Sequence, residues 1–339
     1  MLRTVRGPLG WALTAVMIFA ACGGGTGAPA PAGTTATKTA DPGPRLGSIS
    51  RPIVLAFTPS QDVQRLTTSG NAIASALAQA TGLAWKVTIP TSYAAQIESM
   101  CAGQTDVAFV APLQMTLAID KNCGTPILAA LRTDPDSKQL STTYYSQILV
   151  KSDSGITDLA GLKGKTFAFA DALSASGYVF PTLTVKNKTG QDPKTFFSST
   201  TFAGGHDKVA LAVYSGQVAG GATFIDVRTN AGMPADIMEK TKLIDKAGPI
   251  PNDGVALRKG FPDEIGKQVT KGLVDYGKTD AGKAAFKNLF TWDGMQEVDA
   301  KFYDPMREAA KLAGIDVAGE AAKTARPVAT PAPSPSKAP

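Results

Sequence analysis

Hydrophobic positions alternate along this chain between a period of two and a period of three to four residues. From residue 51 the order is a strand at IVLAF, a helix through QRLTTSGNAIASALAQATG, a strand at AWKVTIP, a helix at SYAAQIESMCAGQ and a strand at DVAFVA. Strands that alternate with helices in this way predict a mostly parallel sheet with helices on both faces. The pattern therefore predicts an α/β fold, with residues 51–145 forming most of a first lobe.

A second alternation follows the long strand YYSQILVKSDSG. It comprises the strand TFAFAD, a helix after Ser176, the strand TTFAG, the helix HDKVALAVYSGQ and the strand GGATFID, which predict a smaller α/β lobe over residues 146–253. The strand DGVALRK then returns to the first lobe, which residues 254–319 complete. Two crossing strands predict a hinge, and ligands of open α/β sheets bind beyond the carboxyl ends of the strands. A cleft between the lobes is the expected binding site.

The first 50 residues do not follow this pattern. Two arginines precede an apolar stretch that is too short to span a bilayer, so residues 1–21 are predicted to be a secretory signal peptide. The sequence FAAC resembles the lipobox of bacterial lipoproteins, which implies cleavage before Cys22 and its lipidation. A soluble secreted protein is the alternative, but the Gly/Ala/Pro/Thr-rich residues 22–50 are typical of a flexible tether behind an anchor.

Composition narrows the functional classes. Residues 320–339 are rich in Ala, Pro and Ser and lack periodic apolar positions, so a disordered tail is predicted. The formal net charge of +6 is not concentrated in a basic cluster, which argues against nucleic-acid binding. His206 is the only histidine, so neither a metal site nor another cofactor is expected.

The chain contains three cysteines. Once Cys22 is lipidated, Cys101 and Cys123 remain as an even pair, and an oxidising compartment would allow them to form a disulfide. Two buried thiols that pack as small apolar residues are the alternative.

Polar side chains fall at the carboxyl ends of several predicted strands. Ser174 and Ser176 lie where TFAFAD meets the next helix, and a helix start with serine hydroxyls is a typical anion site. A plain N-cap is the alternative interpretation. Tyr93, Tyr144 and His206 occupy three further strand ends, so the set predicts hydrogen-bond donors for an oxyanion around one cleft.

Five stretches resemble, in order and spacing, the phosphate, phosphite and phosphonate-binding proteins of ABC transporters. They span residues 53–315 and are SYAAQIESMCAGQTDVAFVAPLQMTLA, YYSQILVKSDSGITDLAGLKGKTFAFADALSASGYVFP, GGHDKVALAVYSGQVAGGATFID, AGPIPNDGVALRK and FYDPMREAAKLAGI. The resemblance implies a two-lobed, type II-like periplasmic-binding-protein fold that closes on its ligand. It also implies a monomeric binding protein, not an enzyme, which passes a small phosphonate-like anion to an ABC permease at the outer face of the cell membrane.

Carried over position by position, the family's pocket falls on nine residues. They are Ser174, Ala175, Ser176, Gly177 and His206, with Tyr93 and Tyr144 from the first lobe and hinge, and the acidic residues Asp226 and Asp253. Ala175 stands where relatives have threonine, and Ala111 stands where glycine is usual. The choice among phosphonate, phosphite, phosphate and another organic anion therefore stays open.

The two aspartates bear on the ligand because a carboxylate only accepts hydrogen bonds. Monoanions of phosphonate, phosphite and phosphate carry a P–O–H donor, whereas sulfate does not. An aminoalkylphosphonate would also offer an ammonium group to Asp226 or Asp253. Solvated acids in turns are the alternative interpretation of both residues.

Two other functions remain as alternatives. Ser176, His206 and Asp226 supply the residue types of a hydrolase triad, but the G-x-S-x-G turn that exposes such a serine is absent from these stretches. Related two-lobed proteins bind sulfonates or thiamine-like pyrimidines. Their sites would depend on aromatic walls or arginine clamps, and the predicted cleft shows neither strongly.

Overall fold

Two β-sheets with helices packed against them make up the described part of the chain. The computed structural model describes residues 43–225 and 227–324. The predicted signal peptide, Cys22, most of the predicted tether, Asp226 and residues 325–339 lie outside the described residues. No helix in the described ranges is both long and apolar enough to cross a membrane. Both sheets belong to one compact unit that begins at Pro44.

The strands follow the predicted apolar stretches. In chain order, those of the described residues are β1 (Ile53–Phe57), β2 (Trp85–Thr88), β3 (Val107–Val110), β4 (Gly124–Thr133), β5 (Leu140–Ser141), β6 (Thr143–Lys151), β7 (Thr166–Phe169), β8 (Ser199–Phe202), β9 (Gly220–Phe224), β10 (Thr241–Pro251), β11 (Gly254–Arg258) and β12 (Gly294–Glu297). The first sheet has the order β12-β4-β11-β3-β1-β2, with β5 paired to β4, and the second has the order β10-β6-β9-β7-β8.

Both sheets are mixed, whereas the alternation of elements predicted mostly parallel ones. In the first sheet β1 is parallel to β2 and β3, but β11 is antiparallel to β3 and β4. In the second sheet β7 is parallel to β8 and β9, but β6 is antiparallel to β9 and β10. Strands reached through a crossover helix lie parallel. The chain instead returns from the second lobe at the cleft edge, where Gly254 pairs with Val110 at the end of β3, so β11 runs away from the cleft.

Helices pack on both sheets. In chain order, those of the described residues are α1 (Val63–Thr81), α2 (Tyr93–Cys101), α3 (Pro112–Asp120), α4 (Phe180–Thr189), α5 (Pro193–Phe196), α6 (His206–Tyr214), α7 (Ile237–Lys240), α8 (Asp263–Lys278), α9 (Asp280–Phe290), α10 (Asp304–Ala313) and α11 (Val317–Thr324). Helix α10 contacts α3 of the first lobe and α4 of the second, so it bridges the two lobes.

The folded part extends slightly beyond both predicted limits. Leu46, within the predicted tether, packs against the core of the first lobe, and Ser48 forms a β-bridge with Arg51. At the other end α11 continues to Thr324 and buries Ala321, so residues 320–324 are helical rather than part of a tail. Burial of a few apolar side chains orders these segments. Because these side chains stand within low-complexity sequence, the apolar pattern alone did not predict their burial.

The chain crosses between the sheets twice. It passes from β5 to β6 between Ser141 and Thr143, and it returns from β10 to β11 between Pro251 and Gly254. The two crossings lie side by side because β6 and β10 pair antiparallel, with Thr143 opposite Pro251. Residues at the crossings therefore stand at the floor of the cleft.

A disulfide joins Cys101 to Cys123, with 4.8 Å between their Cα atoms. It links the end of α2 to the residue before β4, so it closes the segment that contains β3 and α3.

Candidate ligand-binding site

A small cavity lies between the two lobes. The space inside it is small, so it suits a compact ligand group. The lining residues are Thr58, Ser60, Gln61, Tyr93, Val110, Ala111, Arg132 and Phe290 from the first lobe, Asp253 at a crossing, and Tyr144, Ser174, Ser176, His206 and Phe224 from the second sheet and its helices. Six of the nine predicted pocket residues are among them.

The wall of the second lobe is built on the turn that precedes α4. Residues Ala175–Val179 form a π-helical turn, a feature frequent at functional sites. Ser174 is its N-cap, and the Ser174 hydroxyl accepts a 3.0 Å hydrogen bond from the N–H of Gly177. Ser146, on β6, donates to the carbonyl oxygen of Ser176 at 2.6 Å. A backbone N–H thus holds the Ser174 side chain, and the Ser146 side chain holds the backbone of Ser176.

His206 closes the same wall as the first residue of α6. Its Nδ1 atom lies 2.9 Å from the hydroxyl of Thr223, and its Nε2 atom lies 3.3 Å from the hydroxyl of Ser174. Burial, and then the positive charge of Arg132, lower the pKa of His206 to about 3. The imidazole is therefore neutral at physiological pH, with one nitrogen as donor and the other as acceptor.

Two tyrosines contribute phenol groups. Tyr93 begins α2, is 1% exposed, and its hydroxyl has no hydrogen-bond partner in the described part of the chain. The hydroxyl of Tyr144 donates to that of Ser176 over a long 3.4 Å. Burial raises the pKa of Tyr93 well above its ordinary value and that of Tyr144 as well, so both hydroxyls remain protonated donors.

A polar network that the sequence did not reveal lies beneath the wall of the first lobe. The hydroxyl of Thr58 lies 2.8 Å from the side-chain oxygen of Gln96 and 2.7 Å from that of Gln114. Gln114 donates to the carbonyl oxygen of Tyr93 and accepts from the N–H of Ala111, both at 2.9 Å. The network fixes the starts of α2 and α3 at the cavity, and buried amides of this kind are satisfied only in one arrangement.

Arg132 is the most consequential residue that the sequence analysis missed. It is the last residue but one of β4, and its guanidinium donates to Asp253 at 2.8 Å, to the side-chain oxygen of Asn252 at 2.9 Å and to Thr291 at 3.1 Å. The sequence analysis found no strong sign of an arginine in the cleft, whereas Arg132 lines the cavity. A charged residue near the end of an otherwise apolar strand was the available signal, but only the pairing of β4 with β11 brings it to Asp253.

Asp253 is not the solvated turn acid of the alternative interpretation, since its side chain is 16% exposed. Burial raises the pKa of Asp253, and the adjacent Arg132 opposes that shift. Arg132 and Asp253 thus form an enclosed ion pair at the cavity.

Two predicted pocket residues do not line the cavity. Ala175 is buried in the core, and Gly177 lies next to Ser174 and His206 without lining the cavity. A Cβ atom on Gly177 would lie 2.5 Å from that of Ala170 and 2.9 Å from the Ser174 hydroxyl, so only glycine fits. The ninth predicted residue, Asp226, lies outside the described residues.

The arrangement of these groups does not resemble a hydrolase triad. His206 contacts the hydroxyls of Thr223 and Ser174, whereas the triad hypothesis required a contact with Ser176 and a carboxylate on the other ring nitrogen. Neutral donors around a closed cavity are suited to binding rather than to nucleophilic attack.

Residues 55–303 match a sequence family described as the periplasmic substrate-binding protein of phosphonate ABC transporters. The phosphate-import protein PhnD of Mycolicibacterium smegmatis is 29% identical over 202 residues, which cover 57% of this chain and 58% of that protein. The phosphonates-binding periplasmic protein of Escherichia coli is 29% identical over 209 residues, again covering 58% of each. The chain thus spans a little under three fifths of the length of these relatives.

Solved structures share the fold. A binding-protein component of an ABC phosphonate transporter from Pseudomonas aeruginosa superposes with a TM-score of 0.70 at 24% identity, covering 80% of this chain and 92% of that one. A Prochlorococcus marinus protein in complex with methylphosphonate gives a TM-score of 0.66 at 18% identity, covering 76% and 97%. Because the family match covers well over half of the residues, this chain belongs to the phosphonate-type periplasmic substrate-binding proteins of ABC transporters.

Proposed function

We propose that this chain is the solute receptor of an ABC importer and captures a compact phosphorus oxyanion in the cavity between its lobes. The observation that carries the proposal is the convergence of neutral hydroxyl donors on that cavity, from Ser174, Ser176 and Tyr144 on the second lobe and from Tyr93 on the first. Preorganised donors of this kind replace the water shell of an anion without adding a full positive charge.

Helix starts strengthen the same preference. The π-helical turn before α4, together with α2 and α6, begins at residues that line the cavity or directly flank it. The amino end of a helix carries a partial positive charge, which favours an anion nearby. Asp253 adds a carboxylate that accepts hydrogen bonds only. Arg132 contacts its Oδ2 atom, so a ligand P–O–H group that donates to Oδ1 is favoured over fully ionised sulfate.

Names of relatives are consistent with this ligand class. One is a phosphate-import protein, and a structural neighbour was solved with methylphosphonate. The same proposal includes four further points. Residues 1–21 direct export, Cys22 carries a lipid anchor, the chain acts as a monomer, and it delivers its ligand to a membrane permease.

Titration calorimetry on the chain without its signal peptide tests the ligand class. Methylphosphonate, phosphite, phosphate and sulfate form the ligand set. We expect saturable binding of at least one phosphorus ligand with one site per chain, and no comparable binding of sulfate. Failure of all three phosphorus ligands to bind would contradict the proposal, as would turnover of a phosphate ester without stable binding.

A further inference from the structure

The ion pair between Arg132 and Asp253 is enclosed within the candidate site. The side chains are 8% and 16% exposed, and both residues line the cavity. A buried carboxylate at the end of an anion pocket is the natural partner for an ammonium group on a ligand, because it would otherwise be left uncompensated. Here a cation from the protein already fills that role.

The guanidinium is held too firmly to be displaced easily. Three of its N–H groups donate to Asp253, Asn252 and Thr291. Its central carbon also lies 4.8 Å from the ring centre of Tyr144 and 5.2 Å from that of Phe224, at distances typical of cation–π contacts. A ligand ammonium that approached Asp253 would have to break this set of contacts or bind beside a fixed positive charge.

Among the described residues that line the cavity, Asp253 is the one carboxylate, so none is left for a ligand cation. Among the described residues that line it, Arg132 and Asp253 are the ionised pair and offset each other, while His206 is neutral. The remaining donors favour negative charge.

We propose that Arg132 determines specificity by occupying Asp253, so that the pocket selects phosphorus oxyanions without a cationic substituent and rejects aminoalkylphosphonates. This inference rests on the proposed function and names the ligands that the pocket excludes. It replaces the expectation that Asp253 pairs with a ligand ammonium.

A matched pair of ligands tests the exclusion on the unmodified protein. Propylphosphonate and 2-aminoethylphosphonate have the same length and differ by a methyl group in place of an ammonium group. Calorimetry should give at least about tenfold tighter binding of propylphosphonate. The ammonium group of the other ligand would lose its hydrogen bonds to water and find no free acceptor, and about tenfold corresponds to the lower value for one hydrogen bond to a charged group. Equal affinities, or tighter binding of 2-aminoethylphosphonate, would overturn the inference, whichever acidic residue of the chain then binds the ammonium group.

Arg132→Met assigns the effect to this residue, because methionine keeps the unbranched stem and removes the charge. The affinity of 2-aminoethylphosphonate relative to propylphosphonate should rise at least about tenfold. The double variant Arg132→Met/Asp253→Asn should lose that gain. If the wild-type preference persists unchanged in folded Arg132→Met, the cause lies elsewhere and the assignment to Arg132 is wrong.

Arg258→Met is the matched control, since Arg258 forms a similarly enclosed ion pair with Asp106 at 2.6 Å in the first lobe, away from the cavity. It should leave the ratio of the two affinities unchanged. Should Arg132→Met fail to fold, the ligand pair on the wild-type protein still decides the exclusion. Absence of binding by methylphosphonate, phosphite and phosphate alike would contradict the proposed function, whereas tight binding of these ligands together with 2-aminoethylphosphonate would contradict this inference alone.

Discussion

The backbone N–H of His206 donates a 2.8 Å hydrogen bond to the carbonyl oxygen of Ser60 on the opposite lobe. His206 begins α6, and the first N–H groups of a helix have no partner within the helix. Its imidazole lines the cavity at the same time. One residue thus contacts both the opposite lobe and the space for the ligand, so ligand capture and contact between the lobes are linked at this position.

His206→Ala should weaken binding of every phosphorus ligand by about 10- to 100-fold, because a hydrogen bond to a charged group contributes about 1.5 to 3 kcal/mol. Calorimetry with methylphosphonate and phosphate measures the loss. Thr223→Val, which removes only the group next to Nδ1, should have a smaller effect. An unchanged dissociation constant for His206→Ala would mean that the ring does not contact the ligand.

Lobe closure should depend on a contact away from the ligand. The side-chain amide of Asn230 donates to the side-chain oxygen of Gln61 at 2.9 Å between the lobes, and Asn230 does not line the cavity. Asn230→Ala should weaken ligand binding by about 2- to 10-fold, since an ordinary hydrogen bond contributes about 0.5 to 1.5 kcal/mol. Small-angle scattering should show a decrease in radius of gyration on ligand addition, and the variant should need more ligand to reach it.

Asn288→Ala is the control for this experiment, because Asn288 makes a comparable hydrogen bond to Ser69 within the first lobe. It should leave affinity and scattering unchanged. Identical scattering of the wild-type protein with and without saturating ligand would argue against closure altogether.

Asp171 should make stability depend on pH. Burial raises its pKa from 3.8 to about 6, so the folded state holds the proton more tightly than the unfolded state does. The stabilisation from protonation is complete below about pH 4 and is lost as the pH rises through about 6. Asp171→Asn should therefore raise the free energy of unfolding at pH 7 by at most about 3 kcal/mol, at about 1.4 kcal/mol per pKa unit.

Urea denaturation at several pH values checks this prediction. The advantage of Asp171→Asn should vanish near pH 4. Asp158→Asn is the control, since Asp158 is exposed and likewise accepts a hydrogen bond from a backbone N–H. A constant difference between Asp171→Asn and the wild type across the pH range would refute the assignment.

Reduction of the Cys101–Cys123 disulfide should lower the free energy of unfolding by about 3 kcal/mol, the loop-closure value for a separation of this order. The two residues are 22 positions apart. Neither lines the cavity, so Cys101→Ser/Cys123→Ser should bind ligand with unchanged affinity where it is folded. Equal urea midpoints for oxidised and reduced protein would show that the bridge does not contribute.

Cys22→Ser tests the proposed anchor. The FAAC sequence before Cys22 and the low-complexity residues after it lead us to expect that the variant leaves the membrane fraction or is no longer processed. Fractionation followed by mass measurement of the chain distinguishes these outcomes. A normally cleaved variant that stays in the membrane fraction would contradict lipid anchoring through this residue.

The amino-acid sequence by itself determined the class of fold and many of the residues that line the cavity. Apolar periodicity located the strands and helices, because burial of one face or both is a local property of each segment. Ser174, Ser176, Tyr93 and His206 were predictable for the same reason, since each stands at the junction of a strand and a helix and the carboxyl ends of strands meet at one edge.

Tertiary structure alone decided how these groups are charged and supported. Thr58 meets Gln96 and Gln114, and Arg132 meets Asp253, only because strands and helices far apart in the chain become neighbours. The direction of β11 depended in the same way on where the chain re-enters the first sheet. Local pattern specifies which face of an element is buried, but the partner of a buried polar group is fixed by the packing of distant segments, as Arg132 is for Asp253.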